Sequence, residues 1–105
     1  METDYCMVMT TFADEAMGRR ILERLMEERL AACIQTIVID SMYRWEGSVQ
    51  NEAEILALIK TKSSHYSAIE TLIRTYHEYE CPEIIQIPIT AGFNPYLAWM
   101  DAQCL

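Results

Sequence analysis

The stretch 33-CIQTIVIDSMYRWEGSVQNEAEILALIKTK-62 limits this chain more than any other segment. Two long runs rich in Ile, Val and Tyr meet at Glu46-Gly47, where glycine supplies the positive φ that a two-residue hairpin turn needs. The pattern predicts strands over Cys33–Trp45 and Ser48–Lys62. Each is about 13 residues, more than twice the usual length of about 5–6. At about 3.3 Å per residue such a hairpin reaches about 40 Å. A 15-residue helix covers only about 22 Å, so the hairpin must project beyond any helix packed on it. A two-residue turn pairs Trp45 with Ser48, Tyr43 with Gln50 and Ser41 with Glu52, and puts these side chains on one face.

The flanking segments read in order. Tyr5–Thr10 is a short apolar strand. Asp14 and Glu15 open a helix that ends near Leu30, with Met17, Ile21, Leu22, Leu25 and Met26 as its apolar face. Gly18 inside that helix costs about 1 kcal/mol against alanine, which points to close packing. Ser63 or Ser64 is expected to cap a second helix with a buried stripe of Tyr66, Ile69, Leu72, Ile73 and Tyr76. Ile84–Ile89 is a strand, and Pro88 places it at an edge or at a strand end. Asn94-Pro95 reads as a cap and first-turn proline for a short last helix. The order β-α-β-β-α-β plus a C-terminal helix predicts an α+β, ferredoxin-like split βαβ fold, one domain over residues 1–105. Both main helices then cover one sheet face. Positions 55–59 in the middle of the second hairpin strand are apolar on both sides, where one wet face would alternate. Something must cover the second face, and another copy of the chain is the simplest candidate.

Composition excludes some functions. Acidic residues outnumber basic ones by 16 to 8, a net charge of −8, so nucleic acid and a polybasic grip on anionic lipid are not expected partners. No apolar run approaches the roughly 20 residues of a membrane span, and the acidic start METDYC does not read as a signal peptide. The expected location is cytoplasmic, with Cys6, Cys33, Cys81 and Cys104 as free thiols. Cys6 and Cys33 are expected in the core, Cys81 and Cys104 at the surface. Enzyme signatures such as G-x-S-x-G or H-E-x-x-H are missing, so a non-catalytic protein is expected. Glu52 and Glu54 share a strand face, the one arrangement that resembles an acid–base pair.

The segment 77-HEYECPE-83 is the densest group of metal-binding residue types. Imidazole suits copper(II) and zinc, and thiolate suits copper(I) and zinc. His77, Cys81 and Glu83 are the candidate metal ligands. Pro82 biases Cys81 towards extended backbone, which works against chelation within the loop, so further donors would come from other copies. In the structural alternative, His77 caps the helix C-terminus, Glu83 pairs with a cation or a backbone amide, and His65 is solvated. After Arg74 no lysine or arginine remains, and Glu78, Glu80, Glu83 and Asp101 should give this third of the chain a negative potential.

Together, 41-SMYRWEGSVQNEAEILALIKT-61, 77-HEYECPEIIQIPI-89, Leu30–Cys33 and 96-YLAW-99 resemble the signature blocks of the CutA divalent-cation tolerance family. The resemblance spans nearly the whole chain. It implies the ferredoxin-like fold, a trimer knitted by its long hairpins, likeness to the PII signalling proteins, and tolerance to divalent metals, copper above all. It places the family's proposed copper ligands at Thr10, Tyr76 and His77, of which only His77 keeps a ligand side chain. The expected cofactor is copper or another divalent cation, and the expected function is metal response by direct binding or PII-like sensing. An interaction scaffold and a trimer with small-molecule pockets between subunits are the alternatives.

Overall fold

The computed structural model describes residues 3–105; Met1 and Glu2, part of the acidic start, lie outside it. The elements are β1 (Tyr5–Phe12), α1 (Glu15–Glu27), β2 (Cys33–Trp45), β3 (Ser48–Lys62), a 3-10 turn (Ser63–His65), α2 (Tyr66–Tyr76), β4 (Ile84–Pro88) and α3 (Asn94–Gln103). The strands form one antiparallel sheet in the order β2-β3-β1-β4. This is the α+β, split βαβ arrangement with an added helix.

The hairpin has the expected register: Trp45 faces Ser48, Tyr43 faces Gln50 and Ser41 faces Glu52. Glu46 (φ 49°) and Gly47 (φ 83°) both take the left-handed region, as the turn requires. The hairpin makes the molecule 45 Å long but only 27 by 22 Å across. Beyond the helices both of its sides are bare, with Val38, Met42 and Val49 exposed on one and Tyr43 and Trp45 on the other.

Cross-strand partners share a sheet face, so the register sorts the side chains. Cys6, Val8 and Phe12 of β1 and Ala57 and Ile59 of β3 face the helices. They close the core with Ile21 and Leu25 of α1 and Ile69, Leu72 and Ile73 of α2. Gly18 lets α1 approach β1: a Cβ there would lie 2.6 Å from Phe12 Cγ. The other face carries Met7 and Met9, Leu56 and Leu58, Ile37 and Ile39, and Ile85 and Ile87. Only one end of it is covered, where α3 sets Met100 and Cys104 against Ala32, Tyr5 and Ile89.

Several expectations are corrected. Ser63 and Ser64 do not cap α2; they lie in the 3-10 turn, whose own cap is Lys62, and neither cap position makes a side-chain cap bond. Asn94 lies inside α3, with Phe93 in the cap position, so Pro95 is the second helical residue. Tyr76 leaves the buried stripe and is 46% exposed under the Arg24 guanidinium. Met26 is likewise exposed, at the edge of a cleft it shares with Ile34 and Thr36 of β2. Cys33 is only half-buried because its position faces the helix-free side. Cys104 is buried because α3 docks its last turn there.

Candidate functional site

The end of α2, the loop 77–83 and the half of the hairpin next to its turn meet at one side of the sheet. His77 is the C-cap of α2, and its backbone N–H donates to Ile73 O at 2.8 Å. Its ring stacks on Phe12 at 5.1 Å. Nε2 lies 2.7 Å from the Thr11 carbonyl, and Nδ1 accepts the Tyr79 backbone N–H at 2.9 Å. A ring that accepts at Nδ1 must carry its proton on Nε2, where Thr11 O takes it. Both nitrogens are therefore engaged in holding α2, β1 and the loop together. The sequence placed His77 correctly at the helix end, but the side chain works as a neutral brace.

That brace fixes Tyr79, whose ring lies 4.7 Å from the imidazole. The Tyr79 hydroxyl reaches across to the hairpin and donates to Glu54 Oε2 at 2.7 Å. Burial, then the Glu54 carboxylate, push the Tyr79 phenol above its ordinary range. Glu54 is 7% exposed. Burial and the nearby Glu52 and Glu54 also raise the Tyr43 phenol. Around this pair opens a groove of about 720 Å³ between the turn-proximal half of the hairpin and the loop. Cys81 and Glu83, both exposed, stand on its lining with Glu52, Glu78 and Glu80. The negative potential expected of the last third of the chain is thus focused against the two hairpin glutamates.

The candidate ligands are only partly brought together. Cys81 and Glu83 share the groove, whereas His77 is turned beneath it towards Phe12 and Thr11. No group of three or more His, Cys, Asp or Glu side chains is placed to hold a metal among the described residues. The copper positions implied by resemblance do not gather either: Thr10 is fully buried on the helix side, and Tyr76 points outwards. His65, expected to be solvated, lies with Nε2 2.6 Å from the Leu105 carbonyl. Sequence reasoning missed Tyr79 and the Glu54–Tyr79 bond. The available signal was Glu54 itself, a carboxylate in phase with Leu56 and Leu58.

Residues 6–103 match the family model described as "CutA1 divalent ion tolerance protein". The chain is 35% identical over 100 residues to a divalent-cation tolerance protein CutA of Pectobacterium atrosepticum, covering 94% of this chain and 91% of that one. It superposes on CutA1 of the psychrotrophic bacterium Shewanella sp. SIB1 with a TM-score of 0.94 at 36% identity, covering 99% and 98% of the two chains. For CutA1 of Oryza sativa the TM-score is 0.92 at 35% identity, with 99% and 96% covered. The agreement in sequence, strand order and outline over the whole domain means that the chain belongs to the CutA divalent-cation tolerance family.

Proposed function

We propose that this chain acts in divalent-cation tolerance, copper above all, as a cytoplasmic, non-catalytic homotrimer that senses metal by binding it at sites completed between copies. The observation that carries self-association is the apolar face without helices; the number three follows from the resemblance to the CutA family. Ile37, Ile85 and Ile87 are 51%, 46% and 37% exposed there in a single chain. A continuous apolar strip of this kind calls for a covering surface, and α3 reaches only its end.

Membership of the family supports the metal role. The Cys81 thiol and the Glu83 carboxylate are free for a soft and a hard contact with copper or zinc. His77 could join them only by giving up its Tyr79 or Thr11 bond. Since the described residues of one chain offer too few donors in one place, the remaining ligands are assigned to neighbouring copies.

The test is a calorimetric titration of the assembled protein with copper(II) and with zinc. Saturable binding is expected, weakened about tenfold or more, about 1.4 kcal/mol, when Cys81→Ala and Glu83→Gln are combined. No heat at millimolar metal would sink direct binding.

A further inference from the structure

A histidine that ligates a metal donates one ring nitrogen to a carbonyl or carboxylate and keeps the lone pair of the other for the ion. His77 has the first half of that pattern, with Nε2 on the Thr11 carbonyl at 2.7 Å. The second half is taken. The Nδ1 lone pair accepts the Tyr79 N–H at 2.9 Å, so an ion at Nδ1 would strip a backbone donor of its partner. Nε2 is no better a place for it. The ring proton would then have to sit on Nδ1, facing the Tyr79 N–H, and Thr11 O would lose its donor. Phe12 and Tyr79 also crowd the ring, with centroids at 5.1 and 4.7 Å. The other two positions that resemblance assigns to copper bring no donor towards it: Thr10 is fully buried, and Tyr76 lies outside under the Arg24 guanidinium.

What the ring does hold is the loop. His77 ties it to Thr11 in β1. The Glu78 carboxylate accepts the N–H of Asp14, the cap of α1, at 3.1 Å. The Tyr79 hydroxyl donates to Glu54 of β3 at 2.7 Å. Three consecutive residues are thus fixed to three different elements. Within this clamp, Nδ1 of His77 stands where an asparagine Oδ1 stands in an Asx turn, accepting the N–H two residues on. That turn is what delivers the Tyr79 ring to Glu54. Cys81 and Glu83 follow directly after it and are exposed, so the direction in which the loop presents them is set at Tyr79.

We infer that His77 is a positioning residue and not a metal ligand: its neutral ring shapes the turn that carries Tyr79 to Glu54, and so sets Cys81 and Glu83 against the hairpin. The positioning role stands on the geometry alone. Its consequence for metal rests on Cys81 and Glu83 being the contacts proposed above.

Two substitutions at this one position separate a brace from a ligand. Asparagine can accept the Tyr79 N–H through its own side chain but offers copper or zinc no imidazole. Alanine can do neither. Amide exchange is read on the metal-free assembled protein, and zinc and copper(II) are then titrated by calorimetry. In His77→Ala the Tyr79 amide should exchange about tenfold faster, and metal binding should weaken about tenfold, as when a supporting residue is lost. His77→Asn should bring both back to within about twofold of the native values. Three results overturn the inference. The first is a Tyr79 amide as protected in His77→Ala as in the native protein. The second is metal binding as weak in His77→Asn as in His77→Ala, which would make the imidazole a ligand. The third is metal binding unchanged in His77→Ala although the loop has loosened. If the native protein takes up no metal, Cys81 and Glu83 are not metal contacts, and amide exchange alone decides the positioning role. Should His77→Ala fail to fold, Tyr79→Phe cuts only the bond to Glu54. The amide at position 79 must then exchange faster, and an unchanged rate again overturns the role.

Discussion

At the scale of single residues, small changes separate packing from propensity. Gly18→Ala gains about 1 kcal/mol of helix propensity. Its new Cβ, however, would press on Phe12, which is 1% exposed and has nowhere to go. Overpacking of this kind costs about 1–3 kcal/mol. We expect a lower urea midpoint for Gly18→Ala, and a higher one would show that α1 can shift away from β1. Tyr79 gives a second test, through pH. Its phenol is raised above the unfolded value of 10.0, so the folded state keeps a proton that the unfolded chain gives up. The bond's contribution is whole below about pH 10 and is lost as pH rises towards the folded value, at up to about 1.4 kcal/mol per pH unit. Tyr79→Phe should be less stable at neutral pH but lose stability less steeply above about pH 10. Equal slopes in thermal melts across that window would refute the linkage. The same residues show where sequence reading stopped. HEYECPE displays its histidine, cysteine and glutamates, but the hydroxyl that matters belongs to Tyr79, whose partner lies 25 residues back on the hairpin. Nothing local in the sequence marks that pairing.

At the scale of elements, the hairpin was legible because its turn and its alternation specify the same register. Helix starts were less so. Serines 63 and 64 look like caps, yet the Ser63 N–H donates to Asp4 O, just before β1, and the two serines lie in a 3-10 turn. Helix ends carry a similar surprise. Leu30 N–H bonds to Leu25 O and Arg29 N–H to Met26 O, with Arg29 at φ 57°. This is a Schellman ending, where glycine is the usual residue. Arginine occupies it because its side chain donates to the carbonyls of Ala102 and Gln103, at the end of α3. Arg29→Gly should therefore leave α1 intact, since glycine relieves about 1 kcal/mol of left-handed strain, while loosening the last turn of α3. Amide exchange is expected to speed up around Met100–Gln103 with little change in α1. Unchanged protection there would mean that the packing of Met100 and Cys104, the Leu105 N–H bond to Arg29 O and the Lys62–Asp101 ion pair hold α3 without the guanidinium.

At the scale of the whole molecule, the question is what covers the sheet. The core closes on the helix side only, and the hairpin extends past every helix of its own chain. A chain built this way leaves Ile37 half in water, flanked by Leu56 across the strand pair. The residue touches none of the core that holds one copy together. Ile37→Asp should thus preserve the monomer fold, read as an unchanged far-ultraviolet spectrum. In an assembly that buries this face, the same change leaves a carboxylate desolvated and unpaired, which costs several kcal/mol per copy, and symmetry repeats the penalty in every subunit. Sedimentation should give the native protein a mass near three times the 12.2 kDa of one chain, falling to one chain in Ile37→Asp. If the native protein sediments as a stable monomer, the exposed isoleucines serve some other surface and the trimer reading fails. If Ile37→Asp remains trimeric, the copies meet through the hairpin edges and tips, with the sheet face left to another partner.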